Sequence, residues 1–410
     1  MGKGFTMTRV TYETPEKSSF LFNMVLLLVP IYVGRIQELI PSLERFSIAK
    51  IAMVISLFAY LQNKSKYIDS FNDFKQIPQS RYITVIMVLA LIGIPFSDWP
   101  GGSIDVFEGF LKMLLFIYLL VKCVNTEEKL LMVIRAYCLS ALALATVALI
   151  SPYDTLGRIY VSSTYDPNDL ALILTISLPL LFYLQEDSKG GMRLLLIATM
   201  GIIAVVVLKT GSRGGFVTLI AVTAMLLYQK GARYALKCLP FFLVFAAIIV
   251  VNSPPEQLER MMTVFGVESS DPKNTPPESR TELWKLSWGV MMESPVFGCG
   301  LGQLTSANGR AAGGNWHTAH NAYLQIGAEL GVAGLAAFIA MLVNSFKSLH
   351  SERFNFIRPW LADGVMASLF GLCVGSVFLS WAYQTGAYFI IAMTIIIHKL
   401  SLQNRRAYAG

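Results

Sequence analysis

Two neighbouring histidines are the first candidates for chemistry in this sequence. His317 and His320 lie three residues apart, directly before an apolar run that begins near Asn321. A neutral imidazole can accept a proton near neutral pH, so either residue could act as a general base on a hydroxyl group. The competing interpretation of His320 is an interfacial residue that merely caps the following helix.

Arg213 is the first candidate for binding an anion. It lies in the segment Gly211-Ser212-Arg213-Gly214-Gly215, which joins two apolar runs and opens a helix. Amide groups at a helix N-terminus, glycines that allow close approach and a guanidinium together suit a pyrophosphate. The alternative is a glycine turn that carries an interfacial arginine.

Arg280 is the second basic candidate. It falls in the first turn of a helix predicted at 278–288, where Ser279 and Glu282 have the spacing of a capping box. A cation in that position opposes the helix dipole, which favours a role other than helix stability. A surface ion pair with Glu278 or Glu282 is the alternative.

A third polar segment, Tyr165-Asp166-Pro167-Asn168-Asp169, ends another loop, with Arg158 upstream of it. Asp-Pro-Asn-Asp is typical of a turn followed by a helix cap, which is the structural interpretation. Asn168 or Asp169 could instead bind sugar hydroxyls.

Two other features are interpreted as structural. The segment Gly298-Cys299-Gly300-Leu301-Gly302 looks like a dinucleotide fingerprint, but no strand is predicted before it, so we reject that site. Glu329 is a carboxylate within a predicted membrane span. Its separation from His320 favours a structural pairing, with Arg135 or Lys112 as the expected partner.

The elements that must position these residues are membrane helices. Of the 410 residues, 54% are hydrophobic and only 14% are charged, against roughly 25% charged in ordinary globular domains. The sequence predicts an all-α, polytopic membrane protein with about twelve transmembrane helices. The predicted spans are 19–34, 47–62, 82–97, 106–122, 130–150, 169–185, 193–209, 215–229, 234–252, 321–346, 361–383 and 385–400.

The distribution of basic residues predicts the orientation. Most of the 33 Lys and Arg residues fall on the side of both termini, which we therefore place in the cytoplasm. Helices 1–9 occupy 1–252 and helices 10–12 occupy 321–410. A long, partly helical periplasmic loop, 253–320, joins helices 9 and 10 and carries His320. The first apolar run lacks a convincing cleavage site and is predicted to be a retained span. The net charge of +7 thus reflects membrane orientation, and nucleic acid is not an expected partner.

Cysteine and acidic residues suggest no further cofactor chemistry. Five cysteines are present, and Cys299 alone lies in the long loop. Their positions show neither a pairing framework nor metal-ligand spacing, so we expect no disulfide and no zinc. No acidic pair suggests metal-assisted glycosyl transfer. We therefore expect no metal and no cofactor.

The spacing of the motif residues resembles a known family. His320-Asn321 is followed by nine residues, Gly331, two residues and Gly334. This is similar to the His-Asn-x9-Gly-x-x-Gly signature of the O-antigen ligase and polymerase superfamily. The segment 211–215 resembles that family's arginine loop, with Val217 where the family has leucine. The turn at Asp166 and the segment 295–302 also look like family features.

The resemblance to an O-antigen ligase implies transfer of O-antigen polysaccharide from undecaprenyl pyrophosphate to a hydroxyl of lipid A–core oligosaccharide, in lipopolysaccharide assembly. It implies a multi-pass protein of the bacterial inner membrane whose site faces the periplasm, acting without metal and inverting the anomeric centre. If the family's motif residues have the same roles here, His320 deprotonates the acceptor, and Arg213 and Arg280 bind the pyrophosphate. We expect further substrate contacts from Arg158, Asn168, Ser212, Gly214, His317 and Asn321.

Three alternatives stay open. A polymerase would join repeat units on the lipid carrier with much the same residues. A protein O-oligosaccharyltransferase would transfer to serine or threonine. A flippase or other transporter of lipid-linked glycans would also have many spans, and Lys112 and Arg135, inside predicted spans, are the features that such a protein would share.

Overall fold

The computed structural model describes residues 19–40, 46–62, 77–152, 158–159, 161, 165–234, 236–237, 262, 280–311 and 318–409. The described part contains helices and no β-strand. The α-helices are α1 Phe20–Tyr32, α2 Ile36–Leu39, α3 Ile48–Gln62, α4 Pro78–Gly93, α5 Pro100–Cys123, α6 Glu127–Ile150, α7 Pro167–Thr175, α8 Leu178–Asp187, α9 Gly190–Lys209, α10 Arg213–Lys230, α11 Arg280–Glu293, α12 Leu304–Ala311, α13 Ala322–Glu352, α14 Trp360–Gly375 and α15 Thr385–Ala409.

The prediction of a helical membrane protein is confirmed. Among the described residues, 6 helical segments are long and apolar enough to cross a membrane: Pro78–Phe96, Glu127–Ile150, Pro167–Asp187, Gly190–Lys209, Ala322–Asn355 and Thr385–Arg405. Shorter apolar helices lie at Phe20–Tyr32, Ile48–Gln62 and Trp360–Gly375. Most of the run predicted at 234–252 lies outside the described residues, and the total of twelve stays a prediction.

One predicted span differs in length. The run at 361–383 contains a helix only as far as Gly375, where α14 ends. Residues 376–384 are not helical and lead into α15. Hydrophobicity alone did not reveal this break, because the connecting residues include Phe378, Leu379 and Trp381.

Interactions at one end of the bundle bind its helices together. The Glu127 carboxylate, at the start of α6, accepts hydrogen bonds from the backbone amides of Ile357 and Arg358, at 2.9 and 3.2 Å. Arg405 near the end of α15 pairs with Glu352 at 2.7 Å. Helices α10 and α13 begin at the opposite end, so the end of α15 lies across the bundle from His320.

The last helix forms the centre of the bundle. Nearly every residue of α15 between Ala387 and Ile397 is completely buried, and the sequence there is apolar on all faces. It packs against α13, where Thr394 donates a hydrogen bond to Ser345 at 3.2 Å. A helix without a polar face can be surrounded in this way by the other helices, which explains its position.

Helix α13 is broken at Gly331, which has φ 71° and ψ −174°. A preceding loop fills the break: the Pro295 carbonyl accepts a hydrogen bond from the Val332 amide at 2.9 Å, and the Cys299 amide donates to the Ala328 carbonyl at 2.8 Å. A Cβ at Gly331 would lie 2.5 Å from the Pro295 oxygen. The loop at 294–303 is therefore fixed on α13, and Gly331 makes this approach possible.

The expected partners of Glu329 are wrong. Lys112 pairs with Glu108 within α5 at 2.5 Å, and Arg135 is exposed on α6. Glu329 is buried, and its Oε1 accepts a hydrogen bond from the backbone amide of Leu304 at 3.4 Å. The carboxylate thus holds the segment that follows the docked loop. A sequence offers no sign of such pairing, because the donor is a backbone amide.

Candidate active site

Arg213 is the first residue of α10. The Ser212 hydroxyl caps this helix by accepting a hydrogen bond from the Gly215 amide at 3.1 Å. Gly214 has a packing role, since a Cβ there would lie 2.7 Å from Cβ of Phe378. The predicted anion-binding turn is therefore a capped helix N-terminus that is pressed against Phe378.

The structure brings Arg213, Arg280 and Arg158 together. Burial lowers the pKa of the Arg280 guanidinium, and the positive charges of Arg213 and then Arg158 lower it further, whereas Asp166 acts in the opposite direction. Arg158 also donates from Nε to the Thr210 carbonyl at 3.3 Å. Three guanidinium groups from separate parts of the sequence thus share one region. Such a concentration of positive charge, half-buried, favours an anionic ligand.

Arg280 has an aromatic neighbour that the sequence did not indicate. Its Cζ lies 5.9 Å from the centre of the Phe378 ring, within the range of a cation–π interaction. Since Phe378 also packs on Gly214, it separates the start of α10 from the start of α11. The ring therefore sets the spacing between the two arginine-bearing helix ends.

The Asp166 turn closes another side of the arginine cluster. Asp166 caps α7, with Oδ1 accepting from the amides of Asn168 and Asp169 at 2.7 and 2.8 Å. The structural interpretation of this turn is confirmed. Asp169 accepts a hydrogen bond from the indole nitrogen of Trp381 at 2.7 Å. Asn168 lies at the second position of α7, next to Asp166, and is partly exposed.

His320 precedes α13 and does not cap it. The cap is Asn321, whose Oδ1 accepts hydrogen bonds from the amides of Tyr323 and Leu324, each at 3.0 Å. The capping interpretation of His320 is therefore wrong. His320 itself has φ 45°, a left-handed conformation that costs a residue other than glycine about 1–2 kcal/mol. Its neighbours enforce this conformation.

Those neighbours are held from two directions. On one side of His320, the Ala319 carbonyl accepts a hydrogen bond from the indole of Trp284 at 3.0 Å. On the other, the Ala322 amide donates to the Ser376 carbonyl at 2.8 Å. The backbone that carries the imidazole is thus fixed on both sides, which suits a residue that must be accurately positioned.

Helix α11 connects the histidine with the arginines. Arg280 and Trp284 are four residues apart, so they lie on one face of α11 about 6 Å apart along its axis. Trp284 holds Ala319, and Arg280 belongs to the arginine cluster. The candidate base and the candidate anion site are therefore adjacent.

The role of the segment 376–384 could not be inferred from the sequence. It contacts the histidine helix through Ser376 and the arginines through Phe378. Trp381 reaches Asp169, and the Ala382 amide donates to Gln325 at 3.3 Å. The available signal was Trp381-Ala382-Tyr383-Gln384-Thr385-Gly386, which places polar side chains and a glycine within an apolar stretch.

Other predicted features are placed as follows. His317 lies outside the described residues, as do Ser279 and the start of the helix predicted at 278–288; α11 is described from Arg280. Cys299 is buried, which raises the pKa of its thiol and makes it unreactive. In the described part of the chain, no cluster of three or more His, Cys, Asp or Glu side chains could hold a metal ion.

Residues 197–339 match a family model described as O-antigen ligase. This segment belongs to the O-antigen ligase superfamily. The match includes Arg213, Arg280, His320, Gly331 and Gly334, so the resemblance seen in the motif spacing is confirmed. No curated protein matches the chain.

The O-antigen ligase segment contains only part of the candidate site. Arg158 and Asp166 precede the matched residues, and the segment 376–384 follows them. Membership implies an enzyme of the glycosyltransferase type. The parts outside the match complete its arginine cluster and hold its histidine.

Proposed function

We propose that this protein transfers O-antigen polysaccharide from undecaprenyl pyrophosphate to a hydroxyl of lipid A–core oligosaccharide. The reaction takes place at the periplasmic face of the bacterial inner membrane, with both termini of the chain in the cytoplasm. The proposal is supported by the family match and, above all, by the cluster of Arg158, Arg213 and Arg280. Arg280 shares α11 with Trp284, which donates a hydrogen bond to the residue before His320.

The arginine cluster would bind the pyrophosphate of the donor. Guanidinium groups can each hold two phosphate oxygens, and a pyrophosphate supplies enough acceptors for several of them. Burial, and after it repulsion from Arg213 and Arg158, lowers the pKa of Arg280, and a bound anion would relieve the repulsion. The amide groups at the N-terminus of α10 add further donors. The cluster therefore supplies the charge that the leaving group needs.

His320 would act on the acceptor. Its imidazole takes the proton from the acceptor hydroxyl as the oxygen attacks the anomeric carbon of the donor sugar. The bond between that carbon and the pyrophosphate oxygen breaks at the same time, and the configuration is inverted. Undecaprenyl pyrophosphate leaves with its negative charge held by Arg213 and Arg280. The imidazolium then releases its proton to water.

The remaining predicted contacts have different parts in this scheme. Arg158 would contribute the third guanidinium, and Asn168 and His317 are proposed to contact sugar hydroxyls. The Ser212 and Asn321 side chains cap α10 and α13, and Gly214 permits the approach of Phe378. We propose that these three act mainly by shaping the backbone at the substrates.

The test is transfer by purified protein in nanodiscs. The donor is undecaprenyl-pyrophosphate-linked glycan, and three acceptors are supplied separately: lipid A–core, a second lipid-linked repeat unit and a serine-containing peptide. Each reaction is run with and without a chelator. We expect a product only with lipid A–core, unchanged by the chelator. A product with the lipid-linked acceptor alone would identify a polymerase, and one with the peptide alone a protein-glycosylating enzyme.

A further inference from the structure

A polar cavity lies at the other end of α11 from the arginine cluster. It has a volume of about 340 Å³, within the range of small-molecule sites. The residues that line it include Phe96, Asp98, Glu293, Ser294, Gly298 and Arg310. None of them has a part in the reaction described above. We call it the α11 cavity.

The polar walls of the α11 cavity come from separate elements. Asp98, in the turn before α5, forms an ion pair with Arg310 at the end of α12. Glu293 ends α11 on another wall and is exposed. Carboxylates that accept and a guanidinium that donates can together bind adjacent hydroxyl groups of one sugar ring.

Aromatic rings border the same cavity. Phe96 lines it and stacks on Phe297, with ring centroids 4.4 Å apart. Phe96 is 60% exposed. A few directed polar groups beside an aromatic surface are typical of sites for small polar molecules with an apolar face, such as sugars.

The floor of the α11 cavity is rigid. Gly298 and Cys299 belong to the loop that pairs with α13, and a Cβ at Gly298 would overlap the backbone of Glu329. Ser294 donates a hydrogen bond to the Gly298 carbonyl at 3.0 Å. This rigid floor holds the polar side chains of the cavity at fixed positions before a ligand binds.

The α11 cavity differs from the arginine cluster in its net charge. Two carboxylates, Asp98 and Glu293, face one guanidinium, Arg310, so the lining has a net negative charge. Phosphate and uronic acid groups are disfavoured there, whereas neutral and amino-bearing sugars are not. The cavity therefore cannot serve as a second pyrophosphate site.

We propose that the α11 cavity is a saccharide subsite for a neutral or amino-bearing sugar of a glycan substrate. The proposal rests on the proposed function. Arg280 and Glu293 are thirteen residues apart on α11, which separates the two sites by about 20 Å. The subsite thus holds a sugar several units away from the reacting bond, in the donor polysaccharide or in the acceptor core.

The experiment measures KM for donor and acceptor separately in Glu293→Gln and Asp98→Asn. Glu128→Gln is the matched control, because Glu128 is an exposed carboxylate paired with Arg358 at the opposite end of the bundle. We expect both cavity variants to raise KM about tenfold for one substrate, with little change in kcat. The substrate affected shows which glycan occupies the subsite. The control should retain both KM values.

Saturation-transfer NMR gives a second measurement that does not depend on turnover. Free oligosaccharides released from the donor and from the acceptor are added to the protein in nanodiscs. Signal from one of them in the wild type and in Glu128→Gln, lost in Glu293→Gln, supports the subsite even if no transfer is observed. Unchanged KM values in active cavity variants, or signal unaffected by Glu293→Gln, would overturn the subsite and leave the proposed function standing.

Discussion

The ring of Phe378 stands 5.9 Å from the guanidinium carbon of Arg280, while the Cβ of the same residue is packed on Gly214. A single side chain from the segment before α15 thus touches the first turns of α10 and α11. These turns carry Arg213 and Arg280, which come from distant parts of the sequence. Phe378 therefore fixes their relative position, although it has no group that could react.

The first prediction concerns this ring. Phe378→Leu should lower donor affinity about threefold to tenfold, because the leucine retains bulk but loses the cation–π contact with Arg280. Phe378→Tyr, which keeps the ring, should restore affinity. The measurement is donor binding and kcat for both variants. Equal donor affinity in the leucine variant and the wild type would show that the ring does not position Arg280.

The second prediction concerns Arg213. Arg213→Lys should reduce transfer about tenfold to a hundredfold, because an ammonium group cannot hold two phosphate oxygens as a guanidinium does. Arg193→Lys is the control, since Arg193 bonds Gln185 at the opposite end of the bundle. Initial rates at saturating acceptor give the comparison. A lysine variant with nearly full transfer at normal expression would rule out two-oxygen binding.

The third prediction concerns the base. His320→Ala should lower the transfer rate by about 10²–10⁴ while donor binding persists, because the imidazole acts on the acceptor and the arginines hold the donor. The residual rate should rise with pH, as hydroxide partly replaces the missing base. Rates are measured across pH in nanodiscs. His317→Ala should lower the transfer rate less than His320→Ala does. A larger loss in His317→Ala would identify His317 as the base. Loss of donor binding in His320→Ala would make His320 a phosphate ligand.

The fourth prediction concerns the break in α13. Gly331→Ala should destabilise the protein by at least about 1–2 kcal/mol, since the new Cβ meets the Pro295 carbonyl and alanine disfavours φ 71°. Gly201→Ala on α9 is the control, because nothing lies within 4 Å of its added Cβ. It should be neutral or stabilising by up to about 1 kcal/mol. Thermal unfolding in detergent distinguishes them, and equal midpoints would refute the close approach.

The fifth prediction concerns orientation. In a cysteine-free background, Thr281→Cys on α11 should react with an impermeant maleimide added outside the inner membrane, and Ser351→Cys near the end of α13 should not. Both positions are exposed, so accessibility to solvent is matched. The reverse labelling would place the arginine cluster in the cytoplasm and exclude the proposed reaction.

The sequence predicted most of the helices because an apolar run of membrane length has few other stable conformations. It also identified Arg213, Arg280 and His320, whose residue types are unusual at such positions. It did not reveal Phe378 or Trp381, because aromatic residues in an apolar stretch look like any other part of a span. Nor did it reveal that the Leu304 amide donates a hydrogen bond to Glu329, since every residue type except proline has a backbone amide. Asn321, and not His320, caps α13, because its side-chain oxygen accepts hydrogen bonds from two backbone amides.

The position of the segment 376–384 late in the chain has a consequence for biogenesis. Ribosomes make the arginine-bearing and histidine-bearing helices first, and Phe378 and Trp381 follow them, directly before α15. A nascent chain that has not yet inserted α15 therefore lacks the contacts that space Arg280 from α10 and hold Asp169. The proposed anion site, and with it the proposed binding of a lipid-linked glycan, therefore cannot form before the segment 376–384 has been made.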